Sequence, residues 1–425
     1  MQAFFSRHEA REPDHVLVVF HASFPETRGG INVMIDALAR QWVALGVRVS
    51  ILVPAPWERG PGLTGERHGA ITVYRMRLRS PWDSRRPLRG LLGWLAELPG
   101  TLWVLWRLLR RERVRVIHFH TPRDYQLLLQ LLSVLGGPPV VMTFHGTDAL
   151  EFARTDRNAP WLHRWIVTRA AAVTAVADHY ARMIATAHPR CAPVTVIPNG
   201  VPWLETEERA PCPEPLPGRF WVMVGWIEPP KAQDVAIMAW GEVVRHSPDL
   251  HLVIVGEAPY LRPGQPYYPG FLDTLRALAC QHQVETRIHY TGVLPRAQVL
   301  AVLERAEGLL FPSHREGMPY ALLEAGAVGI PVVCNRIPPF TDLIVPERTG
   351  LLTPDSDPIA LAGAVSRLER DPELGRAMGR AWREEVRERY SVEAMASGYL
   401  NLFRRVTGRP FASPQAWGSV GEGAA

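Results

Sequence analysis

Lysine is almost missing from this chain of 425 residues. Of 47 basic side chains only Lys231 is a lysine, which leaves 47 − 1 = 46 arginines. Compositional drift toward arginine explains the general preference and not the survivor. An ammonium is compact where a guanidinium is a broad planar fork, so Lys231 is a candidate site residue at a position that rejects the fork. Cysteine is sparse as well: Cys191, Cys212, Cys280 and Cys334 show no C-x-x-C spacing, which argues against a zinc site or a disulfide framework. The segment MQAFFSRHEAREPDH has no basic start leading into an apolar run, so no signal peptide is expected, and a reducing cytoplasm fits.

What is present points to a large globular chain. Its 47% hydrophobic and 21% charged residues exclude disorder and collagen-like repeats, and its length predicts two domains. The net charge of +5 hides an asymmetry. Residues 1–205 carry 25 arginines against 16 acids, a net +9, whereas residues 206–425 carry 22 bases against 26 acids, a net −4. Between Arg75 and Arg115 there are 11 arginines with Trp82, Trp94, Trp103 and Trp106. Pro99-Gly100 is expected to break this window, and Arg89, Glu97 and Arg107 keep it from spanning a bilayer. Leu102–Leu109 is apolar nearly all round, so it is either deeply buried or in contact with something greasy. Arginine beside tryptophan suits an anionic membrane surface, peripheral on its inner face; the competing reading is a core helix with a solvated basic end. No nucleic-acid motif accompanies the charge, and no nucleic-acid partner is expected.

Short apolar runs alternate with helical stretches. Residues 15–20, 47–53, 71–76, 114–120, 139–145, 171–176 and 194–199 read as strands of a parallel sheet, with a helix over Val33–Leu45. Leu204–Gly218 holds four prolines and reads as a linker. The alternation restarts at 220–225, 250–256, 286–292, 308–313 and 330–335, and Asp371–Thr407 is helical by pattern. The expected architecture is α/β, two doubly wound Rossmann-like domains facing each other across a cleft. The expected divisions are 1–205, a linker at 206–218, 219–390, a helix over 391–408 and a frayed tail at 409–425. Ala258–Gly270 reads as a loop insertion. Gly60–Gly65 matches G-x-G-x-x-G but precedes a strand, so it reads as a flexible loop. Asp355-Ser-Asp357 matches a metal-binding D-x-D, yet Asp357 before Pro358 is more simply a helix N-cap, and no metal is expected.

Four constellations carry chemistry. FPSHREGMPYALLEAGAVGIP (311–331) places Glu316 in a loop and Glu324 in the following helix, with Gly317, Met318 and Pro319 at a helix start that points N–H groups at an anion. Carboxylates can accept paired hydrogen bonds from the vicinal diols of sugars and ribose. VMVGWIEPPKAQD (222–234) ends a strand at Gly225 and brings Lys231 into the next loop, where it suits a diphosphate. Arg28-Gly29-Gly30 opens a loop whose amides can meet phosphate. TFHGTD (143–148) sets His145 and Asp148 at a strand end.

These segments, in this order, resemble the retaining glycosyltransferases of family 4, which have the GT-B fold. Glu316 and Glu324 match that family's E-x7-E signature. Gly29-Gly30, His145-Gly146, Pro198-Asn199-Gly200, Gly225…Lys231, Ile254-Val255-Gly256 and Thr349-Gly350-Leu351-Leu352 fall in register, over about residues 15–390. The resemblance implies a nucleotide diphosphate sugar, UDP before GDP, held by the C-terminal domain. It implies an acceptor against the N-terminal one, and a last helix crossing back onto that domain. By it, Lys231 binds the diphosphate, Glu324 the ribose, and Glu316 lies near the transferred sugar with Gly317, Met318 and Pro319. His145 sits near the reacting centre, Gly29 and Gly30 meet the diphosphate, Gly225 and Trp226 flank it, and Gly292, Val293 and Leu294 border the base. Asp148 and Asn199 fall on the acceptor side. His145, Glu316 and Lys231 form the expected catalytic set, and no cofactor or metal is required.

The chain departs from the family at Trp226, where an arginine is usual, and at Ala232, where glycine is usual. Arg28 or Arg315 could substitute for the missing cation, the phosphates could sit differently, or activity could be weakened. The expected activity is retaining transfer of a sugar to an acceptor hydroxyl in polysaccharide, glycolipid or other glycoconjugate assembly. The acceptor is a glycan, a lipid or a small molecule. The rivals are a soluble small-molecule acceptor, a non-catalytic nucleotide-sugar-binding protein, which Trp226 favours, and a nucleotide-sugar epimerase.

Overall fold

The computed structural model describes residues 13–20, 29–55, 62–78, 87–153, 161–203, 210–262 and 265–411. Arg28, Trp82 and residues 204–209 of the expected linker lie outside them. In the N-terminal half the strands are β1 (His15–Val19), β2 (Arg48–Pro54), β3 (Leu63–His68), β4 (Ile71–Met76), β5 (Val116–His120), β6 (Val140–Phe144), β7 (Ala172–Ala175) and β8 (Val194–Val196). They form one sheet in the order β3-β4-β2-β1-β5-β6-β7-β8, parallel except where β3 meets β4. Its helices are α1 (Gly30–Ala44), α2 (Pro87–Arg111), α3 (Leu127–Val134), α4 (Thr147–Ala153), α5 (Trp161–Thr168) and α6 (Asp178–Ala187). All five residues of β1, β5 and β6 are buried, which is why these strands read as continuous apolar runs: helices cover both sheet faces.

The C-terminal half repeats the plan with β9 (Phe220–Val224), β10 (His251–Val255), a hairpin of β11 (Tyr260–Arg262) and β12 (Gln265–Pro266), then β13 (Ile288–Gly292), β14 (Gly308–Phe311), β15 (Val332–Asn335) and β16 (Leu351–Thr353). Its main sheet has the order β13-β10-β9-β14-β15-β16 and is parallel throughout. The helices are α7 (Gln233–His246), α8 (Phe271–Gln281), α9 (Arg296–Arg305), α10 (Tyr320–Val328), α11 (Phe340–Leu343), α12 (Pro358–Arg370), α13 (Pro372–Arg389) and α14 (Val392–Thr407). In each sheet the first strand is central: β1 lies between β2 and β5, and β9 between β10 and β14. The strand order reverses there, and the crevice for a ligand opens at the carboxyl ends.

α14 leaves the C-terminal half and packs on the N-terminal one. Ser391 caps it by accepting from the Ala394 amide at 3.2 Å, and Trp42 of α1 donates to the Ala396 carbonyl at 3.3 Å. Tyr399 and Phe403 lie 6.0 and 5.5 Å from the Trp42 ring. One apolar cluster therefore runs through both halves and α14.

Four expectations are corrected. α2 runs through Pro99 rather than breaking there. Pro99 is exposed, so the Leu95 carbonyl that its missing N–H abandons can face water, while the inner residues Leu105, Leu108 and Leu109 stay anchored in the core. Leu63–Gly65 of the expected flexible loop belong to β3, held antiparallel to β4. The 258–270 insertion contains the β11–β12 hairpin. Past Gly408 the chain still packs: Phe411 is buried 5.5 Å from the Phe403 ring, with the Arg115 guanidinium 4.7 Å from its face. Residues 412–425 lie outside the described residues. The N-cap reading of Asp357 agrees with the structure, since its carboxylate accepts from the Ile359 and Ala360 amides at 3.1 and 2.9 Å.

Candidate active site

The C-terminal wall of the crevice is charged. β9 ends at Val224, just before Gly225, and a tight turn over Pro229–Lys231 lifts Lys231 above the sheet. The turn closes on Ala232, whose φ of 54° is left-handed, which explains why glycine suits the position. Lys231 Nζ lies 2.6 Å from Glu316 Oε1, and 5.9 Å from the centre of the Phe311 ring. The two side chains are only 18% and 9% exposed, so removing either strands a largely buried charge. Glu228 stands beside them. Its pKa is raised by burial, opposed by the Lys231 charge, with Glu316 adding repulsion and Arg315 attraction. Arg315 is exposed on the same loop as Glu316. A cavity of about 300 Å³ is lined by Glu228, Lys231, Arg315, Glu316, Gly317, Tyr267 and Tyr268, with Thr147 from the opposite wall. The two tyrosines come from the 258–270 insertion, and their rings lie 4.9 Å apart.

The N-terminal wall is built from buried, hydrogen-bonded groups. His118 and His120 are two apart on β5, so both point to one face. His120 Nδ1 lies 2.9 Å from His145 Nε2, with the rings stacked at 5.1 Å. His118 Nε2 is 2.7 Å from the Thr143 hydroxyl, which meets Thr174 at 2.7 Å and the Tyr399 hydroxyl of α14 at 3.3 Å. Burial, and then repulsion from His145, lowers the His118 pKa to about 3. His120 is held well below its ordinary value by burial first and by its two histidine neighbours next. His118 and His120 are thus neutral at physiological pH.

The two walls touch through backbone. A Cβ on Gly146 would meet Gly317 Cα at 2.5 Å, and one on Gly317 would meet the His145 carbonyl oxygen at 1.7 Å. Only glycines permit this approach. Tyr180 of α6 donates its hydroxyl to the Glu316 carbonyl. The first residue of α1, Gly30, lies against the first residue of α10: a Cβ on it would be 3.1 Å from Tyr320 Cβ. Two helix N-termini therefore converge on the crevice.

Of the residues expected from sequence, Lys231, Glu316 and Gly317 share the cavity. Gly225 and Trp226 follow β9 and are not among the residues that line the cavity, although a Cβ on Gly225 would lie 3.7 Å from the Lys231 stem. Trp226 is half-buried, and its carbonyl accepts from Gln233 at 2.8 Å. Gly29 precedes α1 with a φ of 141°. Glu324 is buried on α10 with Arg296 at 3.5 Å, a partner the motif did not reveal. Gly292 ends β13 and Val293 and Leu294 follow it, outside the residues that line the cavity. Met318 and Pro319 are buried under the loop. The two residues expected on the acceptor side have partners within the protein. Asp148 turns its carboxylate to the amides of His145, Gly146 and Ala149 at 2.7–3.1 Å, and burial raises its pKa to about 6 against their pull. Asn199 turns to the C-terminal domain, its side-chain amide donating to the Met318 carbonyl at 3.4 Å. Reading the sequence also missed His118 and His120, although the alternating His-x-His of β5 was a usable signal. Tyr180 offered none.

Two parallel-sheet α/β domains with their carboxyl edges opposed across a charged crevice define the GT-B class. Residues 29–200 match the glycosyl transferase 4-like domain and residues 205–385 match glycosyl transferases group 1. The chain belongs to the GT-B glycosyltransferases of this type. It is 27% identical over 381 residues to the GDP-mannose-dependent alpha-(1-6)-phosphatidylinositol monomannoside mannosyltransferase of Mycolicibacterium smegmatis, covering 85% of this chain and 91% of that one. Among solved structures it is similar to sucrose-phosphate synthase from Thermosynechococcus elongatus, with a TM-score of 0.73 at 18% identity, covering 93% and 99% of the two chains. The HepE protein of Anabaena in complex with UDP gives a TM-score of 0.68 at 15% identity, covering 92% and 100%. No helix of the described residues is long and apolar enough to cross a membrane.

Proposed function

We propose that this enzyme transfers a sugar from a UDP-sugar to an acceptor hydroxyl with retention of configuration and without a metal ion. The observation that carries the reading is the Lys231–Glu316 pair, set in a cavity against the convergent N-termini of α1 and α10. A nucleotide diphosphate departs easily once positive charge meets it, and donors positioned before the reaction stabilise that charge at no cost in reorganisation. Lys231, Arg315 and the amides near Gly29 and Gly30 supply it. Arg315, in the same cavity, takes the place of the arginine that Trp226 lacks. Glu316 and the loop Gly317–Pro319 hold the sugar, Glu324 the ribose, and Gly292–Leu294 the base, with Gly225 and Trp226 beside the diphosphate. His145 stands at the reacting carbon.

In the reaction the bond from the anomeric carbon to the diphosphate breaks and the bond to the acceptor oxygen forms on the same face. The acceptor proton passes to the departing phosphate oxygen. Retention is supported by the N-terminal wall, which among the described residues brings Thr147 and no carboxylate to the cavity lining, because Asp148 is occupied by backbone amides. Metal independence is supported by the employment of the D-x-D pair: Asp357 caps α12, and Asp355 holds His314 and Asn335, each at 2.7 Å. UDP is favoured by the likeness to the UDP-bound Anabaena structure, and a membrane-borne acceptor by the phosphatidylinositol acceptor in the mycobacterial relative's name.

The test is a thermal-shift screen of UDP-, GDP- and ADP-sugars followed by turnover assays. Binding stabilises the fold by linkage, so the UDP compounds are expected to raise the melting temperature most. Donor turnover by the wild type that survives both Lys231→Ala and Glu316→Ala would contradict the site.

A further inference from the structure

α2 is apolar on two faces, and the core uses only one. Leu105, Leu108 and Leu109 are fully or nearly buried, while Leu92, Leu95, Trp103 and Trp106 are 64%, 47%, 55% and 49% exposed. Positions 92, 95, 99, 103, 106 and 110 recur at spacings of three and four, so they form one stripe along a helix about 37 Å long. A stripe of this length, facing water, is far from what a soluble surface helix normally shows.

The stripe changes character toward its C-terminal end. The Arg107 guanidinium stacks 5.3 Å from the centre of the Trp103 ring, and Arg110 stacks 5.5 Å from that of Trp106. Among the described residues none of Arg107, Arg110 and Arg111 is in an ion pair. Beside them a cavity of about 270 Å³ opens between α2 and the β3–β4 edge, lined by Leu63, Tyr74, Trp103, Arg107, Arg111 and Glu112. Glu112 is already engaged by Arg48 at 2.8 Å, so the free charge at this end is positive. The whole half of the chain is positive as well.

We infer that the outer face of α2 docks on the headgroup layer of an anionic lipid bilayer, with Leu92, Leu95, Trp103 and Trp106 entering the boundary and Arg107, Arg110 and Arg111 meeting lipid phosphate. Charge complementarity selects this occupant: guanidiniums stacked on indoles, beside a single carboxylate that Arg48 already engages, suit a planar anionic surface. The surface is separate from the Lys231 cavity, so it deepens the acceptor reading by placing the enzyme where lipid acceptors lie, and it stands even if the donor assignment falls.

Flotation of the full chain with vesicles tests it, using phosphatidylcholine alone and phosphatidylcholine mixed equally with phosphatidylglycerol. The wild type is expected to float with the anionic vesicles at low salt, to lose most of that binding at high salt, and to ignore neutral ones. Trp103→Ser with Trp106→Ser is expected to weaken binding by about tenfold, and Arg107→Gln with Arg110→Gln by more than about tenfold. These side chains are exposed, so melting temperature and UDP-sugar turnover on a water-soluble acceptor should stay unchanged in both variants, which separates this proposal from the donor site. Failure of the wild type to bind anionic vesicles at low salt overturns the proposal. So does binding that neither double variant weakens, or self-association in solution that the tryptophan variant abolishes while vesicles are ignored.

Discussion

The two walls of the crevice solve opposite electrostatic problems. The C-terminal wall keeps its charges and balances them against one another: Lys231 with Glu316, Arg296 with Glu324, and Glu228 within the field of Lys231, Glu316 and Arg315. The N-terminal wall buries titratable groups and keeps them neutral or saturated. His118 and His120 have depressed pKa values, and Asp148 is wrapped in amides. A wall of exchangeable charge can trade an internal partner for a ligand phosphate. A wall of buried hydrogen bonds cannot, but it holds its backbone against the other wall. On the function proposed above, recognition of the anionic donor falls to the C-terminal wall and orientation of the reacting centre to the N-terminal one.

The sharpest way to break this division is Lys231→Ala. It removes the central cation and leaves Glu316 largely buried without its partner, so kcat/KM for the donor reaction should fall by about a thousandfold in steady-state assays. Lys231→Arg should restore little of it if the site rejects a fork. Next comes the contact between the walls. Gly317→Ala puts a methyl 1.7 Å from the His145 carbonyl oxygen, so the walls must separate. We expect a loss of about a hundredfold in kcat with UDP affinity, measured by calorimetry, much less affected.

The histidine ladder makes a prediction about pH. A histidine whose folded pKa is about 3 and whose unfolded value is 6.5 binds its proton in the unfolded chain first. Its contribution to stability is intact above pH 6.5 and is lost as pH falls toward 3, at up to about 1.4 kcal/mol per pH unit. His120 acts in the same direction. Asp148, with its raised pKa, acts in the opposite direction between about 3.8 and 6, favouring the folded state as it takes up its proton. Denaturant titrations between pH 7 and 5 should show stability falling on acidification, and His118→Gln should flatten the slope. The smallest effect expected is at Arg315. Because it is exposed, Arg315→Gln should weaken UDP binding by only about fivefold, and adding Trp226→Arg should recover it. No loss in the single variant would move the second cation elsewhere.

Much of this molecule could be read locally. Strands buried on both faces announce themselves as apolar runs, the Asp357-Pro358 cap is written in adjacent residues, and Glu316, Glu324, Gly225 and Lys231 stand in a recognisable order. The misreadings have a shared cause. Pro99 is a helix breaker by its own chemistry, but it was overruled by the packing of Leu105, Leu108 and Leu109. Leu63–Gly65 read as part of a flexible loop until β4 is there to pair with them. Asp148 and Asn199 have suitable chemistry at suitable strand ends, and nothing adjacent in sequence says which way they turn.

The sequence by itself determined the alternating α/β plan, the polarity of its two halves and the candidacy of its single lysine, because those follow from residue type and short-range period. Only the tertiary structure decided that Lys231 pairs with Glu316, 85 residues away, that Gly146 and Gly317 abut, and that Tyr399 of the last helix closes a histidine ladder in the first domain. Those contacts depend on where two separate sheets and a returning helix come to rest. Their distances are set by the packing of the whole core, which no local pattern encodes.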